Sequence, residues 1–564
     1  MDMAVDRRDV LRILAALGFA PAVLAACDDE GDGPGATGDG GTDGGADQGL
    51  PDDGFERYAW DGEPGPLTTF EHGVASGDPL PTGVVLWTRV SAADVGAAVE
   101  VFWEVATAPD FLMRTQVGTA NTQADRDFTV KLDVTRLEPG TTYYFRFSAL
   151  GRVSPVGRTR TAPEGAVDRL RFAVVSCASL GHGWFHGYRH IAEQPDFDAV
   201  IHLGDYIYEY ASNQYGSVRP YEPAHEIVSL ADYRLRYSQY HRDANLQALH
   251  RQHPLIPIWD DHETANNSWR DGAENHQPEE GAWADRRAAA IQAWYEWLPV
   301  RDTADHHIYR RLTYGDLLDL ILLDTRLWGR EQQLEGATAQ MDRFNEERQL
   351  LGQDQEAWLR AQLEATTAQW KVVGQQVMMG QLQIVGAPRS EGGGTALNFD
   401  QWDGYVGARD RFYGLLAELQ MDDVVVLTGD IHTSWAIDLT PDPYDAAVYD
   451  PETGAGAVAV EFVTPGITSP GLAQLTPSLL NLLYQQNHHI KWADLAQKGY
   501  LTLDVTPERV QAAWFLLPTV EAEAYTEPVF AQAYATYAGE NHLVAEASPA
   551  TPRADGPPLA PEAA

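Results

Sequence analysis

Two rhythms of apolar and polar residues divide the chain. In residues 83–90, 98–105 and 141–147 the two kinds alternate, with β-branched and aromatic side chains prominent, which predicts half-buried strands. Turn signals such as Glu138-Pro139-Gly140 separate them. Strands at this spacing predict a small all-β sandwich over residues 67–163, of immunoglobulin or fibronectin type. No cluster of reactive side chains falls in it, so its expected role is packing or substrate gating. After Thr161-Ala162-Pro163-Glu164-Gly165 the rhythm changes. Continuous apolar runs at 170–175, 197–201, 256–259, 317–323 and 424–428 read as buried strands, and helical stretches such as 285–297 and 354–366 lie between them. This alternation predicts a layered α/β domain over residues 164–544, closed by strands at 500–505 and 512–515. The Pro- and Ala-rich residues 545–564 are expected to form a disordered tail.

The first residues follow a different logic. Residues 13–26 are apolar but too short to span a membrane as a permanent helix. Arg7-Arg8-Asp9-Val10-Leu11-Arg12 precedes them and resembles a twin-arginine (Tat) export motif, while Leu24-Ala25-Ala26-Cys27 resembles a lipobox. Residues 1–27 therefore read as a Tat-type signal peptide, with Cys27 lipidated and becoming the mature N-terminus. An ordinary amphipathic helix is the competing reading, and the three signals together outweigh it. The implied partners are the Tat translocation machinery and a membrane reached through the lipid anchor. The implied location is periplasmic or at the cell surface. Tat export carries folded proteins, often with metal already inserted. Residues 28–66 read as a disordered Gly/Asp-rich linker, most clearly from Asp28 to Asp53.

Composition narrows the function classes. A chain of 564 residues with 44% hydrophobic residues and 16 Trp has material for more than one core. A net charge of -42 repels polynucleotides, so nucleic-acid binding is not expected. There are 2 cysteines, and one is the lipobox candidate, so no disulfide is expected in the mature chain.

The chemistry lies where the buried strands stop. They run into Ser176-Cys177, Gly204-Asp205-Tyr206-Ile207-Tyr208-Glu209, Asp260-Asp261-His262-Glu263 with Asn266 and Asn267 just beyond, Asp324-Thr325-Arg326, and Gly429-Asp430-Ile431-His432. Open α/β sheets place ligands at the carboxyl ends of their strands. Asp205 is a hard oxygen donor able to bridge two cations, and Tyr208 can return to the same side as a phenolate suited to ferric iron. Asp430 and His432 alternate, as a chelating pair does. Cys177 is either a small buried apolar residue or a thiolate ligand, and its polar neighbours favour the ligand. His262 is either a structural hydrogen-bonding residue or, beside a metal site, a proton donor to a leaving group. Arg326 either binds a phosphoryl oxygen or pairs with Asp324. His306-His307 and His488-His489 are left out of the site, because adjacent side chains point apart.

These motifs resemble those of the PhoD-type alkaline phosphatases. Further similar segments are His72-Gly73-Val74-Ala75-Ser76-Gly77-Asp78-Pro79, Leu323-Asp324-Thr325-Arg326, Trp402-Asp403-Gly404-Tyr405 and Phe462-Val463-Thr464-Pro465-Gly466-Ile467-Thr468-Ser469-Pro470. The family also includes certain secreted phospholipases D, and its metal site resembles that of purple acid phosphatases. The resemblance implies a metallophosphoesterase β-sandwich flanked by helices, preceded by the small all-β domain. It also implies Fe(3+) and Ca(2+). Cys177, Asp205, Tyr208 and His432 would hold the iron. Asp205 would bridge to calcium, with Asp261 and Asp430 adding oxygen and Asn266 as a further calcium or phosphate contact. The Asp-x-His usual on the first strand of metallophosphoesterases is absent, with Cys177 there instead, and Asp261 stands where many relatives have Asn; both fit PhoD. A C-terminal helix can cover the site in this family, and residues 530–537 are the segment where one is looked for.

The implied reaction is hydrolysis of phosphate monoesters and diesters outside the cytoplasm, for phosphate scavenging. An oxo or hydroxide ligand of the metals would attack phosphorus in line, and His262 would protonate the departing alkoxide. A specialised phosphodiesterase, such as a phospholipase D-like enzyme, shares every ligand. A non-catalytic surface lipoprotein would predict a missing ligand, and none of the principal ligands is missing.

Overall fold

The computed structural model describes residues 52–91, 98–472, 477–554 and 556–562, with backbone alone at 477–479. The signal peptide, Cys27 and the linker up to residue 51 lie outside the described residues.

The apolar runs become the centres of two large sheets. In the ten-stranded sheet, Leu170–Val175, Ala199–His202 and Leu255–Pro257 pair in parallel. Four antiparallel strands from the C-terminal part of the chain continue the sheet on one side. In the seven-stranded sheet, Leu318–Leu322, Trp370–Gln375, Val424–Thr428 and Ala459–Val463 pair in parallel. Every residue of these seven strands is buried, which is why apolar residues dominate them instead of alternating with polar ones. The period of two still operates within them. Leu320, Leu322, Val372 and Leu427 join Phe172, Val174 and Ile201 in a core between the sheets. Ile321, Val373 and Val426 face the other way, onto Leu359 and Leu363 of the helix Gln353–Ala365 and Phe412 and Leu416 of the helix Val406–Leu419. Each such side chain withdrawn from water stabilises the fold by roughly 1.5–3 kcal/mol. The result is a mixed α/β architecture in which two sheets bring their carboxyl strand ends to one place.

The all-β N-terminal domain is a sandwich, as its alternation predicted. Val84, Leu86, Val130 and Val134 face Val101, Val105, Phe145 and Phe147. One of its sheets does not end at the domain boundary: Val74–Leu80 pairs in parallel with Leu255–Pro257, so the ten-stranded sheet runs through both domains. Gly77 permits this contact, because a Cβ there would overlap the carbonyls of Leu255 and Pro299.

Two expectations of disorder are corrected. The linker, expected to reach residue 66, is ordered from Asp52. Arg114 is buried and needs acceptors; it takes Asp53 Oδ2 at 2.6 Å, Glu104 Oε1 at 2.8 Å and the carbonyls of Phe55 and Glu56. The tail beyond Ala545 is also ordered in its described residues. Tyr144 donates to the carbonyl of Pro558 at 2.6 Å, Ala560 is buried and bonded to both ends of the Gln252 amide, and Arg553 pairs with Asp198. A Pro-rich segment has few N–H groups to satisfy, so side chains of the body suffice to seat it. Val529–Tyr537, where a covering helix was looked for, is a strand next to the outer edge of the ten-stranded sheet. Among the described residues, no helix is long and apolar enough to cross a membrane.

Candidate metal centre and active site

Three of the parallel strands, Leu170–Val175, Ala199–His202 and Val424–Thr428, run into turns that carry site side chains. Cys177, Asp205, Asp430 and His432 have φ of 58°, 56°, 60° and 59°, a left-handed conformation that residues with a Cβ avoid. Neighbouring turns hold them there: Cys177 N–H donates to Gly204 O at 3.0 Å, and Ala178 N–H to Asp205 O at 2.8 Å. Gly204, with φ of 98°, lies against Asp260 so closely that a Cβ would overlap its backbone. Glu263 accepts from the backbone N–H groups of Asp205, Tyr206 and Asp260 at 3.0, 2.6 and 2.7 Å, tying two strand ends to one carboxylate.

The donor atoms meet in three overlapping groups. Cys177, Asp205 and His432 place their ligand atoms within 4.8 Å of one another, as do Asp205, Asp261 and His262, and Asp260, Asp261 and Asp430. Tyr208 joins the first group, its hydroxyl 3.0 Å from Asp205 Oδ2 and 3.2 Å from His432 Nε2. The Ser469 hydroxyl bridges Tyr208 Oη at 2.6 Å and Cys177 O at 2.8 Å. His432 Nδ1 donates to Pro470 O at 3.1 Å, which leaves Nε2 as a donor atom. Sulfur, phenol oxygen, imidazole nitrogen and carboxylate thus lie on one side, and on the other lie carboxylates with His262 beside them.

This crowding raises the affinity for protons. Burial and then the Asp205 charge push the Cys177 thiol and the Tyr208 phenol well above their usual values. Burial lifts Asp430 to about 7, with Asp400, Asp261 and Asp205 adding to the lift and Arg326 opposing it. Asp260 is raised by burial too, and its Oδ2 is buried with no hydrogen-bond partner. Donors crowded so closely, one with an orphaned oxygen, fit cations that would replace their protons. The mixed S/N/O set suits ferric iron and the all-oxygen set suits a hard divalent cation.

His262 is buried beside these groups. Its Nδ1 lies 2.7 Å from Glu209 Oε2, and its ring packs 4.3 Å from that of Tyr208. Burial opposes the imidazolium, but Glu209, Asp261 and Asp205 outweigh it and raise the His262 pKa. Glu209 Oε1 is held by the Asn266 N–H at 2.7 Å and Asn275 Nδ2 at 2.8 Å.

Two expected roles change. Arg326 is buried and gives its guanidinium to Asp260, Asp400 and Asp430, so it is committed to carboxylates and not free for a phosphoryl oxygen. It does not form the expected ion pair with Asp324, which accepts from the backbone N–H of Arg326 instead. Asn266 turns its side-chain amide toward Glu274, and its backbone N–H serves Glu209. The remaining expected residues, Cys177, Asp205, Tyr208, Asp261, His262, Asp430 and His432, come together. Sequence reasoning missed Glu209, Asp260, Glu263 and Ser469 as participants, although each lay inside a quoted motif. Asp400 carried no signal. His489 and His307 are occupied elsewhere, by the Gln381 carbonyl and the Tyr309 ring respectively.

Comparison with known proteins agrees with this geometry. A family model described as "PhoD-like phosphatase, N-terminal domain" matches residues 59–163, and one described as "PhoD-like phosphatase" matches residues 172–514. Alkaline phosphatase D of Bacillus subtilis (strain 168) is 38% identical over 482 residues, 81% of this chain and 78% of that protein. The solved "Structure of PhoD" superposes with a TM-score of 0.77 at 34% identity, covering 88% of this chain and 95% of the other. With both family models matched in order and the fold shared along most of its length, the chain belongs to the PhoD-like phosphatases, hydrolases of phosphoric ester bonds.

Proposed function

We propose that the chain hydrolyses phosphate monoesters and diesters outside the cytoplasm and serves phosphate scavenging, with iron and calcium as its metals. The observation that carries this reading is the position of Asp205, common to the Cys177 group and the Asp261 group. Cys177, Asp205, Tyr208 and His432 would hold Fe(3+). Asp205, Asp261 and Asp430 would hold Ca(2+), with the orphaned oxygen of Asp260 beside them. Metals bound there would draw charge from the phosphoryl oxygens and activate water.

The chain's own residues do the rest. Glu209 accepts from Nδ1–H of His262 and leaves Nε2 as the nitrogen that protonates a departing alkoxide. The Asn267 N–H at 2.5 Å fixes Asp261 Oδ2. Arg326 balances the carboxylates from behind. Export by the Tat route and lipid anchoring through Cys27 rest on the N-terminal motifs.

The test is turnover by purified protein loaded with iron and calcium, using matched aryl phosphate monoesters and diesters. Hydrolysis of both supports the reading. Hydrolysis of monoesters alone would remove the diesterase part.

A further inference from the structure

The buried Arg326 guanidinium is held at each of its three nitrogens. Nε donates to Asp260 Oδ1 at 2.5 Å, Nη2 donates to Asp430 Oδ1 at 2.6 Å, and Asp261 Oδ1 stands 3.7 Å from Nη2. Nη1 meets both oxygens of Asp400, at 3.0 and 2.8 Å. Asp260, Asp261 and Asp430 are one of the donor groups, and Asp400 is not part of it. Asp400 is itself held from the far side by Arg330, which reaches its Oδ1 and, at 2.7 Å, its carbonyl. Arg330 is fully buried as well.

A guanidinium is a rigid planar fork. With Nη1 held by both oxygens of Asp400, the N–H directions at Nε and Nη2 are set, and so are the two carboxylates bonded to them.

We propose that Asp400, which supplies no donor atom, is a positioning residue for the divalent cation: through Arg326 it sets the orientation of Asp260 and Asp430. The proposal rests on the calcium site of the preceding section. Partners one shell removed from a metal typically change its affinity by about 10- to 100-fold.

The experiment is a calcium titration of the iron-loaded enzyme, parent and Asp400→Asn, after calcium is stripped with a chelator, with iron content measured alongside. The expected result is a calcium Kd raised by about 10- to 100-fold with iron retained. Arg330→Lys keeps the positive charge while loosening the grip on Asp400, and it should move the Kd in the same direction even if Asp400→Asn fails to fold. An unchanged calcium Kd in the folded variants would overturn the role of Asp400 and leave the metal assignment standing. Loss of iron and calcium in parallel would also overturn it, showing a general structural role. A parent enzyme that binds no calcium would overturn both the proposal and the reading beneath it.

Discussion

Glu209 and His262 meet at 2.7 Å, Oε2 against Nδ1, with both side chains buried. Burial opposes the Glu209 charge, yet His262, Asn275 and the Asn266 N–H hold its pKa below the usual range, so it accepts and the imidazole donates. That fixes which ring nitrogen is available for proton transfer.

His262→Ala is therefore expected to slow esters of poor leaving groups by about 10²- to 10⁴-fold, and esters of acidic phenols far less. The measurement is kcat/KM across a series of aryl and alkyl phosphates. A loss of equal size across the series would contradict the assignment. Glu209→Gln should produce a smaller loss with the same leaving-group dependence.

Tyr208→Phe removes the hydroxyl that lies 3.0 Å from Asp205 and 3.2 Å from His432. The expected outcome is less iron per chain and loss of the visible absorption that a phenolate on ferric iron produces. Elemental analysis and an absorption spectrum check it. Retention of both iron and colour would exclude Tyr208 as a ligand.

Glu263 satisfies three backbone N–H groups at the strand ends. Each buried donor left without a partner costs about 1–3 kcal/mol. Glu263→Ala should then lower stability by roughly 3 kcal/mol or more, measured by urea unfolding of the metal-free protein so that loss of metal does not enter. An effect below about 1 kcal/mol would mean that water replaces the carboxylate.

Burial holds His72, His202, His250, His253 and His489 down to about 3, against an ordinary value of 6.5, and it pushes His241 well below that value too. These groups stay neutral in the folded protein while the unfolded chain takes up protons below 6.5. The sign follows from this difference. Their contribution is complete above pH 6.5 and is lost as pH falls from 6.5 toward 3. Urea midpoints measured across that window should fall steadily with acidification, and His250→Gln should flatten the slope. A flat profile would contradict the buried neutral state.

Much of this was legible in the sequence because strand ends carry both burial and chemistry. The runs before Cys177, Asp205 and Asp430 are buried on both faces, so their apolar character identified them without ambiguity. The turn residues then stood out as polar groups at predictable places. Asp400 was invisible for the opposite reason. It lies in an irregular segment, and only the tertiary fold brings it to Arg326. The Arg326 expectation failed because a sequence does not show that four carboxylates converge on one cation. Composition misled at residues 52–66 and in the described part of 545–564, where Gly, Asp and Pro suggested disorder. Phe55, Tyr58 and Trp60 near one end, and acceptor carbonyls along the other, supplied the contacts.

The central claim is a mixed site with iron on the Cys177–Tyr208–His432 side and calcium on the carboxylate side. Elemental mass spectrometry of the purified, mature protein tests it most directly. The account expects iron and calcium together. Zinc or manganese without iron, or no bound metal after expression with metals supplied, would contradict it.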